Sequence, residues 1–215
     1  MEKCSVCDLQ LGTDTAPVIG ACPNYWCSRS DRGFDVVWAV APHAGELRRA
    51  ILGLKYRRDR RWAAPLGRLL GSYLLDRSPC FEDVDLIVAT PAVLDWWRPV
   101  DHVREIVAAA GPFIAGLWPV DDSRHPVLVK RAATRRFVDT PSAEARRLWA
   151  AGELRVTLGV TDERRVRDRR VLVVDDVFTD GSTLREVAGV LRGAGATAVS
   201  GLVLARACLT GQGFP

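Results

Sequence analysis

Long apolar runs are missing from this chain of 215 residues. None reaches the roughly 18 consecutive apolar residues of a membrane-spanning helix, so no spanning segment is expected. The start, Met1-Glu2-Lys3-Cys4, leads into a polar stretch and lacks the apolar centre of a secretory signal; a cytoplasmic location is the expectation. Internal repeats and long low-complexity linkers are also missing, which leaves cysteine placement and hydrophobic period as the guides to organisation. Lysine is scarce, with three among 30 basic residues. The rest are arginines spread along the chain, and such a bias, with a net charge of only +4, does not by itself mark a nucleic-acid face. The run of residues 162–170 mixes both signs and reads as a solvated loop ahead of a strand.

The composition that remains, 48% hydrophobic and 26% charged with a mean hydropathy of +0.02, has the balance of a globular protein. The length suits one sizeable α/β core with a small accessory module. Residues 35–41 read as a strand, and Leu47, Ala50, Ile51 and Leu54 fall at helical spacing. Leu66, Leu69, Leu70, Tyr73 and Leu74 make a second helical stripe, with Gly67 and Gly71 read on other faces. Residues 84–90 form a buried strand that stops at Pro91, which cannot continue a central ladder. A helix over 103–110, a short strand over 126–130 and a weaker helix over 142–151 follow. The clearest unit comes last. Residues 171–174 are a continuous apolar strand, and Leu184, Val187, Ala188 and Leu191 then recur at i, i+3, i+4 and i+7. Gly193 and Gly195 stop that helix, and residues 197–205 supply another strand. Strand, helix, strand is the unit of a right-handed parallel sheet, so the fold class is α/β with a mostly parallel sheet.

Between that strand and helix lies Asp175-Asp176-Val177-Phe178-Thr179-Asp180-Gly181-Ser182-Thr183. In an open parallel sheet the ligand crevice lies beyond the carboxyl ends of the strands, where these residues emerge. Gly181 lets the backbone come close to an anion, and the first amides of the helix point at it with the favourable end of the macrodipole. Thr179, Ser182 and Thr183 add hydroxyls. Two carboxylates just upstream suit a neighbouring polyol and a magnesium ion. The plainer alternative is a strand end followed by a helix capped by Ser182 or Thr183.

The string over residues 171–184 resembles the phosphoribosyl pyrophosphate signature of type I phosphoribosyltransferases. The resemblance implies that Asp175 and Asp176 hold the ribose hydroxyls and that Thr179, Asp180, Gly181, Ser182 and Thr183 hold the 5-phosphate, with Asp175, Asp176 and Thr179 at the catalytic centre. Asp180 departs from the small residue usual there, and its charge is expected to repel the phosphate.

Cys4 and Cys7 form one CxxC knuckle, and Cys22 and Cys27 form a CxxxxC knuckle after it. Two knuckles can present four thiolates to one tetrahedral zinc, and a module this small has little core without a metal. Free thiols or a disulfide are the alternatives; a reducing compartment disfavours the second. Cys80 and Cys208 stand alone and are read as packed or incidental.

A small zinc module (1–33) ahead of an α/β phosphoribosyl loop domain (34–215) is similar to the ComF family, linked to DNA uptake in competent bacteria. Residues 43–67 resemble the segment that follows the zinc module in that family. Residues 95–102 resemble its pyrophosphate-side loop, keeping Arg98, Asp101 and His102 but with Pro99 and Val100 at usual glycine and phenylalanine positions. Lys130, Arg131, Thr134, Glu144 and Arg146 fit a further segment, in which Phe137 and Trp149 replace glutamine and asparagine. Lys55, Arg57, Arg98, Lys130 and Arg131 are candidates to neutralise phosphate charge. His102 is read as a proton carrier or a cap, and one of Trp96 and Trp97 as stacking on a base or partner or packing in a loop. The expected activity is loss of pyrophosphate from C1 of the ribose as an unidentified nucleophile arrives, with magnesium and basic loop residues stabilising the departing charge and zinc in a structural role only. The rival reading is a non-catalytic phosphoribosyl-pyrophosphate-binding or DNA-handling adapter, with single-stranded DNA or DNA-uptake proteins as partners.

Overall fold

The computed structural model describes residues 3–9, 22–95, 99–134 and 142–207. Its middle layer is a four-stranded parallel sheet made of β1 (Val37–Pro42), β2 (Leu86–Ala89), β5 (Arg170–Phe178) and β6 (Ala198–Arg206), in the spatial order β1-β6-β5-β2. Two short strands, β3 (Leu128–Lys130) and β4 (Leu158–Val160), form a separate antiparallel pair. The helices are α1 (Gly45–Arg57), α2 (Ala63–Asp76), α3 (His102–Ile114), α4 (Ala143–Trp149), the single turn α5 (Arg155–Thr157) and α6 (Ser182–Gly193). No helix among the described residues is long and apolar enough to cross a membrane.

The two-residue period of a strand sends alternate side chains of β5 to opposite faces. Val171 and Val173 share a core with Leu184, Val187, Ala188 and Leu191 of α6. Leu172 and Val174 share the other core with Ile51 and Leu54 of α1, Leu70 of α2 and Ile106 of α3. Helices therefore cover both faces, which is why the strand reads as an unbroken apolar run.

The expected elements form with small shifts of their ends, and three details differ. Gly67 and Gly71 lie on a side of α2 other than the leucine stripe, as read, but that side too is buried. A Cβ on Gly67 would lie 2.5 Å from Ala109 Cβ, and one on Gly71 would lie 2.9 Å from Phe113 Cβ. α2 thus buries two sides, its leucines against the core and its glycines against α3, while Leu69 is 37% exposed. The weak helix after Ser142, whose Oγ accepts from Ala145 N, runs through a π turn (Ala150–Leu154) into α5, and β4 follows where no strand was expected. The mixed-charge run is anchored by a fully buried Val166 and contains a 3-10 turn, Glu163–Arg165.

The N-terminal segment covers the open edge of β1. Val37 N donates to Val6 O (2.7 Å) and Ala39 N to Asp8 Oδ2 (3.3 Å), so the edge is not left as a template for other chains. Cys7 and Trp26 are buried in the core on the α6 side.

Candidate active site

The site is opened by unequal strand lengths. β2 ends at Ala89, opposite Val174, whereas β5 continues to Phe178 beside β6. Beyond the end of β2 lies a cavity of about 290 Å³ lined by Lys55, Tyr56, His102, Lys130, Thr134, Asp175, Asp176, Thr179 and Thr183, among others. This is the crevice outside the carboxyl ends of the strands where ligands of open α/β sheets bind.

Asp176 points toward α1 and α3. Its Oδ2 accepts from Lys55 Nζ at 2.5 Å and lies 3.0 Å from His102 Nε2, and its Oδ1 accepts from Val177 N at 2.9 Å. Burial alone would raise the Asp176 pKa, but the charges of Lys55 and His102 outweigh it and hold the carboxyl well below the usual range. Asp175 has its Oδ1 on the Asp176 amide at 2.9 Å. Burial and the neighbouring Asp176 charge push it up to about 7, against a smaller opposing pull from Lys55. Their surroundings thus pull the two adjacent acids of one strand in opposite directions.

The loop after β5 is shaped by contacts from below. Gly181 has φ +89°, and a Cβ there would lie 2.7 Å from Phe178 Cζ and 3.3 Å from Trp26 Cδ1, so both backbone conformation and space select glycine. Neither Ser182 nor Thr183 caps α6, whose N-cap is Gly181; just before it, Asp180 Oδ1 accepts from Ser182 N at 3.0 Å and Oδ2 pairs with Arg146 Nε at 3.3 Å. Ser182 is 1% exposed, and its Oγ has no hydrogen-bond partner among the described residues. The carbonyls of Phe178 and Thr179 accept from Arg206 Nη1 at 3.0 and 2.6 Å.

Of the sequence-predicted residues, Lys55, Lys130, Asp175, Asp176, Thr179 and Thr183 meet at the cavity. Lys130 Nζ donates to Thr134 Oγ1 at 2.6 Å. Asp180, Gly181 and Ser182 lie in the loop but are not among the cavity-lining residues. Arg131 is exposed and lies outside the lining, its guanidinium over Gly159. Asp101, not His102, caps α3, accepting from Arg104 N at 3.3 Å. Cys80 is exposed, so it is not packed. Arg98, Trp96, Trp97, Phe137 and Cys208 lie outside the described residues.

The ligand atoms of Cys4, Cys7, Cys22 and Cys27 all lie within 4.8 Å of one another, and Cys7 Sγ is 3.6 Å from Cys22 Sγ. Four sulfurs about 2.3 Å from a tetrahedral zinc would stand about 3.8 Å apart, so the cluster fits that ion. Amides of Val6 and Asn24 donate to Cys4 Sγ (3.4 Å) and Cys22 Sγ (3.5 Å), the outer contacts that orient metal-binding thiolates. Hydrogen bonds from Cys22 and Cys27 push the Cys7 thiol far down. In turn the Cys27 thiol is driven up by Cys22 and Cys7. Thiols this close cannot all ionise without a cation among them.

Comparison with known proteins follows this geometry. Residues 129–210 match the phosphoribosyl transferase domain family. The matched segment contains β5, the loop, α6 and β6. No curated protein matches the chain. Among solved structures it is similar to a glutamine phosphoribosylpyrophosphate amidotransferase from B. subtilis complexed with ADP and GMP, at 22% identity over 66% of this chain and 26% of that one, with a TM-score of 0.43. A structure described as the allosteric regulatory enzyme of purine biosynthesis matches at 23% identity over 66% of this chain and 25% of that one, TM-score 0.38. A purine phosphoribosyltransferase from Pyrococcus horikoshii matches at 14% identity over 82% of this chain and 96% of that one, TM-score 0.33. The chain thus covers about a quarter of the length of the first two proteins.

Two residues of the phosphoribosyl transferase segment escaped the sequence reading in their structural roles. Arg206 is 5% exposed, and its only sequence signal is an arginine at the end of an apolar strand, where a buried charge needs a partner. Arg146 was matched by resemblance alone; its pairing with Asp180 depends on α4 folding back over the loop.

Proposed function

We propose that this chain binds phosphoribosyl pyrophosphate in the cavity beyond β2 and β5 and transfers the phosphoribosyl group with release of pyrophosphate. The observation that carries the reading is the passage from a buried strand through two acids pulled in opposite directions to a glycine loop opening α6, inside the segment that matches the phosphoribosyl transferase domain. Asp175, the less engaged acid, accepts from the ribose hydroxyls, while Asp176 keeps Lys55 and His102 in place. Thr179 and Thr183 with the first amides of α6 take the 5-phosphate. Lys55 and Lys130 face the pyrophosphate charge and stabilise it as it leaves, a role the family resemblance implies for Arg98 as well. Magnesium, held near Asp175 on the ligand's own phosphates, would supply further charge neutralisation. The four cysteines hold structural zinc. Residues 1–33 are the metal module and 34–215 the transferase-like domain of a ComF-like, cytoplasmic protein.

The adapter reading rests on a specific observation: both oxygens of Asp176 are engaged by Lys55, His102 and Val177 N, leaving one acid of the pair for a ligand. Calorimetric titration with phosphoribosyl pyrophosphate, with and without magnesium, tests binding. Pyrophosphate release with a panel of bases and amines separates enzyme from adapter, and a titration with single-stranded DNA tests the DNA-handling form of the second.

A further inference from the structure

The loop and the cysteine module are joined by buried contacts that bring together residues remote in sequence. Arg206 Nη1 donates to the carbonyls of Phe178 (3.0 Å), Thr179 (2.6 Å) and Ala207 (2.8 Å), and Nη2 donates to Cys7 Sγ at 3.8 Å. Its guanidinium lies over the Phe178 ring at 4.7 Å. Asn24, 3% exposed, donates from Nδ2 to Asp180 O at 3.1 Å, while its own amide donates to Cys22 Sγ at 3.5 Å. Trp26, oriented by its amide on Asn24 Oδ1 (3.0 Å), closes over Gly181.

Three consecutive loop carbonyls, those of residues 178, 179 and 180, are therefore held from the module side. In a planar trans peptide the N–H points opposite to the C=O. Drawing these carbonyls inward turns the amides of Thr179, Asp180 and Gly181 outward, which is the arrangement an anion requires. Two of the holding groups, Arg206 and Asn24, are themselves seated on sulfurs of the four-cysteine cluster. Fixing those sulfurs fixes the loop.

We propose that metal occupancy of the four-cysteine centre sets the anion affinity of the loop, with Arg206 and Asn24 as the positioning residues that transmit it. Without metal the sulfurs lose their fixed positions, the two donors lose their seats, and the carbonyls are free to turn. The coupling is reciprocal, so an anion in the loop slows metal loss. The inference rests on the reading that this loop binds phosphate.

The test uses residue-resolved hydrogen exchange on the full chain, zinc-loaded and chelator-stripped, with no ligand. The amides of Ser182 and Ala207, which donate to Asp180 Oδ1 and Phe178 O, report loop shape; those of Val173 and Val174 in β5 report the fold. Stripping is expected to speed exchange at Ser182 and Ala207 and leave β5 unchanged. In Arg206→Gln the loaded protein should exchange as the stripped one does, with little further effect of stripping, and Arg206→Lys should restore part of the metal dependence. A merely structural arginine would not abolish the response to metal. Asn24→Leu serves the same comparison if Arg206→Gln does not fold. Equal protection in loaded and stripped wild type, full metal dependence in the variants, or loosening of β5 in step with the loop would each overturn the proposal. Titration of the same samples with ribose 5-phosphate should show binding weakened about tenfold by stripping, equivalent to about 1.4 kcal/mol. Loaded wild type that binds neither ribose 5-phosphate nor phosphoribosyl pyrophosphate would refute the functional reading, while the exchange data still decide the coupling.

Discussion

Asp175 and Asp176 are neighbours in β5 but differ in their partners: Asp176 is locked between Lys55 Nζ and His102 Nε2, and Asp175 keeps one oxygen on the Asp176 amide. Charge follows the difference, because each cation that holds Asp176 ionised leaves Asp175 to meet a negative neighbour.

Asp176→Ala removes a buried carboxylate from the Lys55 ammonium and the His102 ring. Breaking a buried pair in this way costs about 3 to 5 kcal/mol, so the urea midpoint should fall substantially. Asp176 is thus a structural acid as well as a site residue. An unchanged midpoint would show that Lys55 and His102 find other partners.

Asp175 has the opposite sign. Its folded pKa of about 7 lies above the unfolded value, so the unfolded chain releases its proton first, and stability falls as pH rises from about 4 to about 7. Asp175→Asn cannot lose that proton. It should be more stable than wild type at pH 8, with the difference vanishing near pH 4, as read from thermal melts across pH. A difference independent of pH would argue against the raised pKa.

Asp180 was expected to repel the phosphate, which would make a threonine there bind more tightly. The carboxylate instead bonds Ser182 N and pairs with Arg146. Asp180→Ala removes the acceptor of Ser182 N and should be less stable by about 0.5 to 1.5 kcal/mol, the worth of such a hydrogen bond. With the Asp180–Arg146 pair lost and the turn before α6 loosened, Asp180→Thr should bind phosphoribosyl pyrophosphate no more tightly than wild type. Calorimetry on the variants checks both, and a tenfold gain in the threonine variant would restore the repulsion account.

The sequence made β5, its loop and α6 legible because an unbroken apolar run gives way there, across small and acidic residues, to a hydrophobic period of nearly four. β4 was not legible, since three residues following a charged stretch carry no period. That the side of α2 carrying Gly67 and Gly71 is buried was not legible, because a helix packed on two sides has no single apolar stripe. The roles of Arg206 and Asn24 depend on contacts across 27 residues for Arg206 with Thr179, 156 for Asn24 with Asp180 and 199 for Arg206 with Cys7, and no local spacing reports those.

Cys4, Cys7, Cys22 and Cys27 should retain about one zinc per chain after purification, the stoichiometry of a four-thiolate site. Cys7→Ser, which removes the sulfur beside Arg206, should lower zinc content. Elemental analysis with thiol titration decides it: four reactive thiols in a stable metal-free protein would count against a metal centre.

The most direct measurement of the central claim is calorimetric titration of the zinc-loaded chain with phosphoribosyl pyrophosphate and magnesium, alongside Asp175→Asn and Thr179→Val. Saturable binding at about one ligand per chain, weakened in both variants, is the predicted result. No binding by wild type, or binding untouched by either substitution, would contradict the assignment of the cavity beyond β2 and β5 as the phosphoribosyl site.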